Sequence, residues 1–198
     1  MMKSLAIAAA FAVTATAASA ALPSYPMSGT QNPANYSFTA AATGDLVAYF
    51  GGSTAGYDEN LGLLVNGVDS GFTVFPNHST ATGASFNFGS VTAGDSLTFF
   101  IRVLTTGDTF YSNKSWNTDG VQHVYSTSYA GGDFGIPAGK YVAFEDLKGG
   151  GDFNYHDETF VFTNVAGGVP EAATWAMMVA GFGLVGASMR GRKVALTA

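Results

Sequence analysis

The sequence predicts an all-β fold, a single sandwich of jelly-roll character over residues 36–168. Three observations carry that expectation. Short apolar runs rich in Phe, Tyr, Val and Leu recur between clusters of Gly, Asn, Asp and Ser. No segment between residues 21 and 168 shows a helical period. The chain carries 26 glycines, which suits a fold built on tight turns.

Taken in order, residues 22–35 hold three prolines and no charge, and read as a leader into the domain. Tyr36–Ala40 and Asp45–Phe50 are the first two expected strands. Leu61–Val65 follows, and Asn66-Gly67 supplies a two-residue hairpin turn before Val68. Phe72–Phe75 and Ala84–Phe88 come next. The clearest strand is Ser96–Leu104, with Leu97, Phe99, Ile101 and Val103 on one face and Thr98, Phe100 and Arg102 on the other. Val121–Tyr125, Tyr141–Phe144 and Thr159–Thr163 complete the set.

The central region has the length for one sizeable core and not for two. Cysteine is absent, so no disulfide holds it. Between residues 21 and 168 there are 13 acids against four bases, Arg102, Lys114, Lys140 and Lys148, a net charge of −9. That balance excludes nucleic acid and anionic membrane as partners of this region and favours a cation or a neutral polymer.

The densest polar chemistry lies between the last two expected strands. Glu145, Asp146, Asp152, Asn154, Asp157 and Glu158 fall within fourteen residues, around three consecutive glycines, Gly149–Gly151. The glycines permit positive φ, so the acidic ends can fold back on each other. Carboxylates brought that close repel unless a cation sits among them. Calcium, which takes six to eight oxygens in flexible geometry, is the natural candidate cofactor. Asp58, Glu59 and Asn60 are further possible ligands. The spacing is not that of an EF-hand: counted from Asp152, Asp157 stands where Gly is required. Two other readings stay open: carboxylates that only cap turns, and a catalytic pair of Glu145 with Asp157 or Glu158, as in a glycosidase. Phe144-Glu-Asp-Leu, the Gly-rich turn and Gly151-Asp-Phe-Asn-Tyr-His-Asp resemble the closing motif of an uncharacterised bacterial extracellular β-domain family over residues 142–162, and more weakly over 45–67. That resemblance implies a β fold with an acidic site and no particular reaction.

The two ends of the chain point to export. Lys3, the apolar run Leu5–Val13 and Ala18-Ser-Ala20 have the order of a secretory signal peptide, cleaved by signal peptidase so that Ala21 begins the mature chain. At the other end, Thr174–Met189 is uncharged and Arg190, Arg192 and Lys193 follow. Those sixteen residues as a helix, at ~1.5 Å each, would give roughly 24 Å against a hydrocarbon core of ~30 Å. The basic cluster places the C-terminus in the cytoplasm and the domain outside. The segment running Val169-Pro170-Glu171, then Trp175-Ala176-Met177-Met178, a Gly-rich apolar stretch and the basic end resembles a PEP-CTERM sorting signal over residues 169–193. It is closest to the variant that continues into Trp-Ala-Met-Met. Ala172 stands where the usual pattern has a second Pro. The resemblance implies a Gram-negative cell-surface or matrix protein. An exosortase would remove its membrane anchor near the motif; residues 194–198 follow the signal as a short tail, and exopolysaccharide is a candidate partner.

Other constellations are sparser. His78, His123 and His156 are scattered, and with no Cys they form no zinc signature. There is no Gly-x-Ser-x-Gly elbow, phosphate-binding loop or dinucleotide fingerprint. Tyr111, Trp116, Tyr125 and Tyr129 surround a polar loop at 112–120 and suit either the core or stacking on sugar rings. The expectation is therefore a non-enzymatic, calcium-stabilised surface domain. A polysaccharide-acting enzyme and a non-catalytic carbohydrate-binding module are the alternatives.

Overall fold

The computed structural model describes residues 21–167. Among them, eleven strands run in chain order: β1 (Phe38–Ala40), β2 (Gly44–Ser53), β3 (Glu59–Val65), β4 (Val68–Asp69), β5 (Ser85–Val91), β6 (Ser96–Val103), β7 (Asp108–Tyr111), β8 (Val124–Tyr129), β9 (Gly139–Phe144), β10 (Glu158–Phe162) and β11 (Val165–Gly167). They form two antiparallel sheets. One has the order β11-β1-β6-β3-β4, with β7 also paired to β6; the other has the order β5-β2-β10-β9-β8. The all-β, two-sheet expectation holds. The expected signal peptide with Ala18 and Ala20, and the expected sorting signal from Val169 to Lys193, lie outside the described residues. Among the described residues no helix is long and apolar enough to cross a membrane.

Alternation decides which side chains meet. Leu97, Phe99, Ile101 and Val103 of β6 are all buried, facing Phe160 and Phe162 of β10 and Leu46, Ala48 and Phe50 of β2 in one core. Phe99 stacks on Phe162 across the two sheets with ring centroids 3.9 Å apart. The Asn66-Gly67 turn has φ of 52° and 81°, the doubly positive geometry of a two-residue hairpin.

Three expectations are corrected. Phe72–Phe75 is not a strand: only Val74 bridges to Leu61, and Gly71 (φ 77°) and Phe75 (φ 58°) break the extended run. The strand expected from Val121 begins at Val124. The N–H groups of Val121 and Val124 bond to the side chains of Asp119 and Gln122 instead of to a neighbouring strand. Residues 22–35 are more than a lead-in. Tyr25 packs against Tyr125 and Tyr155 on the outer face of the second sheet, within a second apolar cluster that includes Tyr141 and Val161. Asn32 pins this strap, its N–H donating to Tyr155 Oη at 2.9 Å and its Nδ2 to the Val124 carbonyl at 3.0 Å.

The outer face of the first sheet has its own constraint. Gly62 of β3 sits opposite Phe100 of β6, and a Cβ there would run into the Phe100 ring. That ring is flanked by Tyr111 and lies under the Arg102 guanidinium, 5.1 Å from its centroid. Gly62→Ala is expected to destabilise the domain by about 1–3 kcal/mol, the usual cost of overpacking, as read by chemical denaturation.

Candidate metal centre

At one end of the sandwich the inward rows of three strands finish in acids. In β3 the inward parity Leu61 and Leu63 extends back to Glu59. In β10 Phe160 and Phe162 extend back to Glu158. In β9 Val142 and Phe144 extend forward to Asp146. Glu59 is 1% exposed, Glu158 0% and Asp146 4%, so the core is closed at this end by carboxyl groups.

Local structure holds each of them. The loop joining β9 to β10 is pinched at its base, where the Glu145 N–H donates to the His123 carbonyl at 2.9 Å and the Asp157 N–H to the Phe144 carbonyl at 3.1 Å. Asp157 Oδ2 then accepts from the Asp146 N–H at 2.9 Å, which turns the two ends of the loop toward each other. Gly149, Gly150 and Gly151 all have positive φ, as expected. Glu145 is buried and accepts from the Tyr155 N–H. On the facing sheet Asn77 clamps Glu59: Asn77 Oδ1 accepts the Glu59 N–H at 3.0 Å, and the Asn77 N–H donates to the Glu59 carbonyl at 3.2 Å.

The electrostatics are those of acids short of a partner. Burial, and then the carboxyls of Asp146, Glu158 and Asp157, push Glu59 up to about 11. Burial and the charge of Asp146 raise Glu158 well above the ordinary range. Asp157 is pushed up to about 7, chiefly by burial with Asp146 adding. Glu145 is pushed up to about 8 by burial and by the charges of Asp157 and Asp152, against the opposing hydrogen bond from Tyr155. Neither oxygen of the Glu158 carboxyl has a hydrogen-bond partner, and the Glu59 carboxyl has none outside the acid cluster, where Asp146 lies beside it, a costly state for buried polar atoms.

The residues singled out in the sequence therefore divide. Asp146, Asp157 and Glu158 meet at the acidic end, with Glu145 beside them. Asp152 is exposed and spends its oxygens on Asn154, accepting from its N–H at 3.1 Å and its Nδ2 at 2.7 Å. Asn154 in turn accepts from the His156 N–H at 3.0 Å. Those two residues shape the turn. Of the Asp58-Glu59-Asn60 group only Glu59 joins the cluster; Asp58 is exposed and pairs with His78 at 3.1 Å. His123 is fully buried, stacked on Phe110, with Nδ1 3.0 Å from the Glu145 carbonyl and Nε2 2.9 Å from Asp119 Oδ2. Asp119 also accepts from the Gly149 N–H at 2.8 Å, so it joins the 112–120 loop to the glycine turn. Although burial works against it, these hydrogen bonds hold the Asp119 carboxyl below its usual range.

As the side chains stand, no three acidic or imidazole groups among the described residues form a ready ligand set. The chemistry of the donors nevertheless fits a hard cation: four carboxylates at the ends of three strands, two of them buried with no partner outside the acid cluster, and Glu145 next to them. No protein-family model, characterised protein or solved structure matches the chain.

Proposed function

We propose that this chain is an exported surface or matrix protein whose jelly-roll-like sandwich is closed at one end by calcium. The observation that carries the reading is the pair of buried carboxyls, Glu59 and Glu158, one on each sheet, with no hydrogen-bond partner outside the acid cluster. Buried beside Asp146 and Asp157, two such groups must either take up protons on folding or meet a cation, and a bound cation removes the cost of that proton uptake. Calcium suits them better than magnesium, because an all-protein set of flexible, bidentate-capable carboxylates is calcium chemistry, whereas magnesium keeps its waters. Carboxylates that are 0–1% exposed are poorly placed to touch a polymer, which weighs against a catalytic role for Glu145 and Glu158. Display outside the cell, by way of the signal peptide and the PEP-CTERM-like tail with its exosortase, agrees with a domain that needs calcium and has no disulfide.

A thermal melt with and without calcium tests this. At 100 times its dissociation constant an ion adds about 2.7 kcal/mol, which for a domain of this size raises the midpoint by about 5–10 °C over the value in EDTA. Equal midpoints in EDTA and in millimolar calcium would remove calcium from the account.

A further inference from the structure

Away from the acidic end, the strap that precedes β1 and the connection between β7 and β8 enclose an open cleft of about 570 Å³. Its lining is unlike the rest of the domain. Asn35, Tyr36 and Ser37 form one wall and Asn113, Lys114 and Ser115 the other, and no carboxylate lines it. In a region with 13 acids and four bases, an acid-free cleft that holds one of those bases departs sharply from the average surface.

The cleft combines a fixed frame with uncommitted donors. Asn113 Oδ1 caps the short 3-10 turn Lys114–Trp116, accepting from the Ser115 N–H at 3.1 Å and Ser115 Oγ at 2.8 Å. Asn117 locks the turn from below, accepting the Tyr111 N–H at 2.7 Å and donating to the carbonyls of Tyr111 and Val121. Tyr36 Oη is held by Asn32 Nδ2 at 2.7 Å. Asn35 and Ser37, by contrast, are exposed. In the same turn as Lys114, Trp116 is 42% exposed, with its ring plane set edge-on to Tyr111 at 5.6 Å and 70°. A rigid polar floor with amide, hydroxyl and ammonium donors recognises a polyhydroxylated ring by hydrogen bonds to its hydroxyls, and Trp116, outside the lining but in the same turn as Lys114, is the nearest exposed indole in sequence. The volume lies within the range of small-molecule sites, about 300–1,000 Å³.

We infer that this cleft is a binding site for a neutral saccharide. The surrounding negative charge disfavours acidic sugars, and the absence of a carboxylate in the lining makes the site one of binding without hydrolysis. None of its lining residues belongs to the acidic end, so it is a separate site from the one proposed for calcium.

The chain has only two tryptophans, Trp116 and Trp175. In the chain carrying Trp175→Phe, indole fluorescence therefore reports on Trp116 alone. The experiment titrates that protein, in millimolar calcium, with glucan, mannan, galactan and xylan oligosaccharides of two to six units and with oligogalacturonate. The expected result is a saturable emission shift with at least one neutral series. In the Asn35→Ala/Lys114→Ala double variant the affinity should fall at least tenfold while the melting midpoint is retained. No response to any neutral series overturns the inference. So does a response to oligogalacturonate alone, which would assign an acidic ligand, and so does undiminished binding by the double variant, which would place the sugar elsewhere.

Discussion

At pH 8 in EDTA, Glu59→Gln is expected to melt above the wild-type chain, and in millimolar calcium it is expected to melt below it. The crossing follows from burial. Glu59 has a folded-state pKa near 11 against an ordinary 4.5, so at pH 8 the metal-free protein takes up a proton on folding that the unfolded chain does not hold. That uptake costs about 1.4 kcal/mol for every pH unit above the unfolded value. An amide has nearly the same shape, stays neutral at every pH and escapes the cost. With calcium the balance reverses, because the carboxylate ionises against the ion and the amide supplies one weaker oxygen. Thermal melts of both proteins in both buffers check this. A variant that melts below wild type in EDTA and keeps the full calcium shift would show that Glu59 is not a ligand.

The metal-free wild-type chain should show an inverted acid profile. Asp157 and Glu145 have folded pKa values of about 7 and 8, above their ordinary 3.8 and 4.5. The folded state therefore binds more protons than the unfolded state between those limits. The stability that this contributes is complete below about pH 4 and is lost as the pH rises through 7 and 8. Each carboxyl gives a slope of about 1.4 kcal/mol per pH unit within its interval. Carboxylates that are salt-bridged in the native state give the opposite sign and lose stability toward acid. Calcium should restore that ordinary sign, because the ion displaces the protons and binds more tightly as they leave. Denaturation curves from pH 5 to 9, in EDTA and in calcium, measure both slopes. A flat profile in EDTA would mean that the acids are already neutralised by groups of the protein.

Strand alternation made most of the fold legible. It placed Leu97, Phe99, Ile101 and Val103 on the inward face, and Asn66-Gly67 marked its own hairpin. What it missed was short or locally overruled. Asp108–Tyr111 and Val165–Gly167 are only four and three residues long, too brief for a period to stand out. Phe72–Phe75 has strand composition but a backbone turned by Gly71 and Phe75. Acid density along the chain pointed to the loop that reaches the acidic end and over-read it, because density does not say which side chains turn inward. Asp152 and Asn154 lie in the middle of that loop and face the turn. Glu59, far away in sequence, joins the cluster. The signal for it was present as parity: Glu59 continues the row of Leu61 and Leu63 as Glu158 continues that of Phe160 and Phe162. An acid in the register of a core row is the pattern to look for.

The pairing of β1 with β11 has a consequence for how such a domain becomes finished. Phe38–Ala40 lies against Val165–Gly167, so the earliest strand finds one of its two neighbours only when the last has emerged. Glu59 and Glu158 likewise share the acidic end only after both sheets have closed. A chain delivered across a membrane from its N-terminus would therefore remain unfinished during passage, with edges and carboxyls exposed, and complete its sheet and its acidic end together. On that route the last described strand would act as a latch, and the carboxyls would meet only on arrival.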